Sequence, residues 1–151
     1  MFEQDTINHH IQRRILSVLC YRKMARFRDL RPPRVDTNLF SYHLKVLISH
    51  QLVQKVPGGY SLAPRGLAYV DRVSTDNMLV RTQPKIVTML VVQNSNGDVL
   101  LQQRTKQPYI DTWTLPYGKL HIDDRSIQAA AQREAAEKLG TMDLALQHAG
   151  E

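Results

Sequence analysis

Cysteine is nearly absent: Cys20 is the single one, and it sits inside an apolar helical pattern. One thiol cannot close a disulfide within the chain, so a small disulfide-stapled scaffold is excluded and Cys20 reads as a buried thiol. No apolar run approaches the roughly 18 residues that a membrane span requires, which removes the bilayer from the expected partners. Internal repeats and low-complexity tracts are also missing. The opening stretch MFEQDTINHH is polar and lacks the apolar centre of a signal peptide. These absences together point to a reducing, cytoplasmic setting. His43 and His50 have no cysteine or carboxylate at metal-ligand spacing, and read as surface or packing histidines.

Acidic residues are scarce in one half only. Residues 1–74 hold 12 Lys and Arg against 5 Asp and Glu, a net +7, whereas residues 75–151 hold 8 against 9, a net −1. The positive charge of the chain therefore sits entirely in the first half, which suits a polyanionic partner there as well as ordinary solubility. The 151 residues are 42% hydrophobic, enough for one domain or two small ones with real cores.

In residues 8–20, Ile11, Ile15, Leu16, Val18 and Leu19 make a broad apolar stripe, the pattern of an amphipathic helix. Residues 25–30 suggest a short second helix with Phe27 and Leu30 inward. The Pro-Pro of RPPRVD stops it, because proline disfavours helical geometry before it and lacks an N–H. A third helix opens after Asp36 or Thr37, either of which can cap it, and runs to about His50. Phe40, Leu44, Leu47 and Ile48 recur three and four apart and face a core. Asn38, Ser41, Lys45 and Ser49, with Tyr42 beside them, line the other face. Short polar groups and a cation suit the edges of a nucleic-acid groove, and equally a solvated helix face. Leu52, Val53 and Val56 give a strand, Pro57-Gly58-Gly59 a tight turn, and Tyr60 to Leu62 a returning strand. Pro64 is placed to begin a fourth helix, 64–74, whose edge is Leu67, Val70 and Val73.

Three helices, a hairpin and a fourth helix resemble the winged helix-turn-helix of transcription regulators of the ArsR and MarR sort. The matching phrase is Phe40, Tyr42, His43, Leu44 and Leu47, then Leu52-Val53, then Gly59, Tyr60, Leu62 and Gly66. The resemblance implies double-stranded DNA as partner, with the third helix in the major groove. Asn38, Ser41, Tyr42 and Lys45 would then face bases, and Arg34, Lys55 and Arg28 would meet phosphate. It also implies a homodimer, for which the apolar edge of the fourth helix is one candidate interface.

Residues 75–83 read as a linker, followed by a strand over 85–92, a turn at NSNGD and a returning strand from Val99 to Gln103. Tyr109 and Trp113 read as core or base-stacking groups, with core favoured for Trp113. From Ser126 to about Leu139 the sequence is helical, with Asp124 or Ser126 as cap, Ile127, Ala130, Ala131, Ala135 and Leu139 packing on a sheet, and Gly140 as terminator. Arg133, Glu134, Glu137 and Lys138 share one side of that helix. Two carboxylates beside a glycine loop could hold Mg²⁺, a hard cation that takes oxygen ligands and bridges phosphates.

The stretch from Trp113 to Gly140 resembles the signature box of the Nudix family: Gly, five residues, Glu, seven residues, Arg-Glu, an apolar residue, any residue, Glu-Glu, any residue, Gly. Gly118, Arg133, Glu134, Glu137 and Gly140 match it. The interval from Gly118 to Arg133 is one residue longer than the box. Arg125 stands where the early glutamate falls when counted back from Arg133, with Asp124 just before it, and Lys138 replaces the second member of the Glu-Glu pair. The resemblance implies a nucleoside diphosphate derivative as ligand and Mg²⁺ or Mn²⁺ held by Glu134, Glu137 and the Gly118 carbonyl. It implies Glu134 and Glu137 as catalytic carboxylates, and Arg104 and Lys138 as groups for substrate phosphate.

The expected architecture is thus α+β: a winged helix over residues 1–74, a linker over 75–83, and over 84–151 the N-terminal portion of an α/β/α Nudix sandwich, degenerate in its box and truncated at its C-terminus. The functional expectation is a DNA-binding regulator whose Nudix-like part senses a nucleoside diphosphate derivative or dimerises. The alternatives are a Mg²⁺-dependent hydrolase of such compounds and a non-catalytic protein-interaction module. Lys138, which repels a cation, and the short second half argue for weak or absent hydrolysis.

Overall fold

A computed structural model describes residues 7–73, 78, 86–140 and 145–150. The chain forms two compact units, one of Met1–Thr82 with Arg104–Thr112, the other of Gln83–Gln103 with Trp113–Glu151. The architecture is α+β, with three helices, a β-hairpin and a fourth helix followed by a mixed region of antiparallel strands and one helix.

In the first unit, α1 (His10–Cys20) buries Ile11, Ile15, Leu16, Leu19 and Cys20, the expected stripe with its thiol inside. The short α2 (Phe27–Leu30) starts two residues later than expected, because Ala25 is extended and bridges Tyr60 of the hairpin. Helix α3 (Thr37–Ser49) begins at Asp36, whose Oδ1 accepts from the N–H groups of Asn38 at 2.8 Å and Leu39 at 3.1 Å. A carboxylate there satisfies donors that the first turn leaves without partners. Those N–H groups hold the Asp36 carboxyl below its ordinary value. Phe40, Leu44 and Leu47 are buried, and Phe27 meets Phe40 edge to face at 4.9 Å.

Strands β1 (Val53–Val56) and β2 (Gly59–Leu62) pair antiparallel with Val56 opposite Gly59, leaving Pro57-Gly58 as the turn. Gly58 takes φ +85°, which a residue with a Cβ enters only with strain. Pro64 opens α4 (Pro64–Arg72) in its first turn. Gly66 lies so close to the Leu52 carbonyl that a methyl group would collide with it, so this helix needs the glycine for packing. The edge of α4 that sequence offered for dimerisation is used within the unit. Val70 and Val73 belong to its core, and the Tyr69 hydroxyl donates to the Met78 carbonyl at 3.0 Å. Apart from Met78, the expected linker lies outside the described residues.

The loop 104–112 packs within this first unit. The Gln107 N–H donates to the Cys20 carbonyl at the end of α1 at 2.8 Å, Lys23 pairs with Asp111 at 2.8 Å, and the Lys106 ammonium lies 5.0 Å from the Tyr21 ring centre.

In the second unit, β3 (Val87–Met89) pairs with β6 (Tyr117–Lys119), and β4 (Gln102–Gln103) with β5 (Trp113–Thr114), both antiparallel. The expected hairpin survives only near its turn. Gln93 bridges Val99, and the Asn94 side chain accepts from the N–H groups of Asn96 and Asp98. The long strand expected over 85–92 is shortened to three residues that pair with the glycine strand, while Val92 still pairs with the returning stretch, its carbonyl accepting from the Leu100 N–H at 2.9 Å. Helix α5 (Ile127–Leu139) is capped by Ser126, whose hydroxyl accepts from the Ala129 N–H at 3.0 Å, and ends at Gly140 with φ +70°. It lies against β3 and β6, burying Ala130 and Ala135, while Ile127 is exposed, contrary to the packing role expected of it.

Candidate functional site

Where α5 meets β6, a side-chain carboxylate occupies the place a glycine leaves open. A Cβ built on Gly118 would fall on the carboxyl group of Glu134. Only glycine in the strand lets Glu134 sit there, and Glu134 is 5% exposed. A buried carboxylate needs a charged partner, since its ionised form loses hydration. Arg133 supplies it: Nη1 donates to Glu134 Oε1 at 2.8 Å and to Glu137 Oε1 at 3.3 Å. Nε and Nη2 grip both oxygens of Asp124 at 2.9 and 2.8 Å, and Nη2 also donates to the Lys119 carbonyl at 2.9 Å. A guanidinium has five N–H donors, so these five bonds engage all of them.

The bidentate grip of Arg133, followed by the His121 N–H at 2.7 Å, lowers the Asp124 carboxyl to about 2. The Arg133 guanidinium is raised further, first by Asp124 and then by Glu134. Paired charges at these distances make the stronger, geometrically specific class of hydrogen bond. Glu137, by contrast, is more than half exposed, and Lys138 beyond it is exposed too.

Glu134 lies against Gly118, and Glu137 reaches the same Arg133 nitrogen as Glu134. Asp124 was missed as a partner because counting back from Arg133 lands on Arg125. Counting forward from Gly118 reaches Asp124 directly, and the interval from Asp124 to Arg133 is then the one that is a residue longer than the box. Arg104 falls in the first unit with the loop 104–112, where its guanidinium lies 5.6 Å from the Tyr109 ring centre. Trp113, expected in a core, is 65% exposed. Among the described residues, no group of three His, Cys, Asp or Glu side chains is placed to hold a metal ion.

In the first unit the candidate nucleic-acid residues lie on the accessible face of α3 and its flanks. Asn38, Tyr42 and Lys45 are exposed and Ser41 is half-buried, while Arg34 before the helix and Lys55 on the hairpin are exposed. Arg34 has φ +65°, uncommon for a residue with a side chain, in the loop leading to α3. Arg31 braces that loop, donating to the Val35 carbonyl at 3.0 Å and to the Thr37 hydroxyl at 3.2 Å. His43 is buried on the inner side of α3, its ring stacked 3.6 Å from that of His9.

No helix among the described residues is long and apolar enough to cross a membrane. No solved structure matches the chain. A family model described as the NUDIX domain matches residues 83–150, the span that holds Gly118, Asp124, Arg133, Glu134 and Glu137. This part of the chain is a Nudix-domain segment.

Proposed function

We propose that the Nudix segment binds a nucleoside diphosphate derivative where Glu134 meets Gly118, and hydrolyses its diphosphate with Mg²⁺ or Mn²⁺. The observation that carries this reading is the buried Glu134 carboxylate, seated in the glycine's empty side-chain position with Glu137 reaching the same Arg133 nitrogen. Mg²⁺ is commonly held by one or two carboxylates together with waters and substrate phosphates, not by an all-protein cage. Two carboxylates meeting at one nitrogen fit an ion that arrives with a diphosphate. Glu134, Glu137 and the Gly118 carbonyl would hold it, and when bound it would polarise the phosphate and acidify a water. Arg133 holds the Glu134 carboxylate in place through Nη1, and the exposed Lys138 offers a cation to the phosphates. Turnover of a panel of nucleoside diphosphate derivatives with Mg²⁺ tests this. Glu134→Gln is expected to lose at least about 100-fold, the usual scale for a positioned acid–base group. Turnover unchanged in that variant removes Glu134 from its role, and no turnover by the wild-type chain removes hydrolysis.

A second reading has its own observation. The exposed Asn38, Tyr42 and Lys45 on α3, with half-buried Ser41 among them and Arg34 and Lys55 exposed nearby, lie in the half of the chain with net charge +7, 12 cations against 5 anions. That arrangement favours duplex DNA, with the Nudix segment acting as the sensor of a regulator. Affinity for duplex is expected to fall steeply with salt, by a log–log slope of about −0.9 for each phosphate contacted. Absence of binding at low salt removes this reading.

A further inference from the structure

We propose that Leu39 and Tyr42 read the 5-methyl group of thymine, so that Leu39 is a specificity-determining residue; this rests on the duplex-binding reading above. Helix α3 already fills the core with Phe40, Leu44 and Leu47, all at most 2% exposed. Leu39 is not needed there. It is 47% exposed, and Tyr42, three residues on, is 62% exposed on the same side. A single exposed leucine is ordinary. Its place is what matters here: Leu39 is the third residue of the helix, its N–H fixed by the Asp36 cap. The N-terminal residues of a major-groove helix are those that reach base edges. Its neighbour Asn38 is exposed and has the amide that pairs with both edge groups of adenine, while an apolar side chain matches the methyl of the thymine opposite. The exposed cations Arg34 and Lys55 near this helix complement phosphate. The first turns of α3 therefore present an amide and an apolar pair to A·T base pairs.

The test uses the whole chain and a randomised duplex pool. The best-bound duplex is remade with deoxyuridine for thymine, a change that removes only the methyl groups. Wild type is expected to enrich A·T pairs and to bind the deoxyuridine duplex about three- to fivefold more weakly, the effect of one methyl leaving an apolar contact. Leu39→Ala is expected to bind both duplexes equally, and Leu39→Met to retain the discrimination. Equal binding of the two duplexes by wild type, or the same discrimination in Leu39→Ala, overturns this inference while leaving duplex binding standing. Loss of all duplex binding by wild type at low salt overturns both.

Discussion

The first unit gathers eighteen buried residues into one hydrophobic cluster with Phe40 fully enclosed, whereas among the described residues of the second the buried apolar side chains are Leu90, Pro116, Ala130 and Ala135. What the second unit has instead is Arg133, tying α5 to Asp124 and to the Lys119 carbonyl of the glycine strand. One unit is held by non-directional burial, the other by directional charge pairing around a glycine. The first kind tolerates small shifts in geometry. The second depends on particular atoms, which is also what a chemical site requires.

Three changes sharpen that contrast. The largest effect is expected from Phe40→Ala, which opens a cavity at the centre of the first unit and lowers its stability by about 3–5 kcal/mol. Thermal unfolding followed by helical circular dichroism measures it, and a loss below about 1 kcal/mol contradicts the fully enclosed core. Gly118→Ala is expected to cost about 1–3 kcal/mol, as overpacking does, and to displace Glu134. The fluorescence of Trp113, the single tryptophan, reports on the second unit, and an unchanged unfolding midpoint there counts against the seat described for Glu134.

The smallest effect is a difference in pH windows. Asp124 is lowered from 3.8 to about 2, so its contribution is complete above 3.8, falls as the unfolded chain takes up protons, and is gone below about 2. Burial, then the charges of His9 and His10, holds His43 below its ordinary 6.5. Its neutral form stabilises the first unit fully above 6.5, and that contribution declines as pH falls below it. Acid titration is expected to weaken the first unit at milder pH than it weakens the Asp124–Arg133 pairing. Coincident transitions by circular dichroism and Trp113 fluorescence would remove the distinction.

The first unit was the more legible in sequence for the same physical reason. Burial at three- and four-residue spacing announces α1 and α3, and Asp36 and Pro64 mark helix starts through local chemistry. Gly58 marks the hairpin through its need for positive φ. Strand partners in the second unit are set by contacts distant in sequence. Hydrophobicity over 85–92 suggested pairing with 99–103, which holds next to the turn at Val92 and Gln93, whereas β3 pairs with β6. Trp113 looked like core by residue type and is exposed, because type does not say which side of a two-stranded ribbon is covered. Glu134 and Glu137 were legible through helix spacing, while Asp124 required knowing where the extra residue is accommodated.

The fully engaged guanidinium of Arg133 has a consequence for anything that binds beside it. A cation settling between Glu134 and Glu137 would meet the positive charge of Nη1 at the Oε1 atom of each, held there by the clasp of Nε and Nη2 on Asp124. The arginine would thereby steer an incoming ion toward the carboxylate oxygens it does not hold.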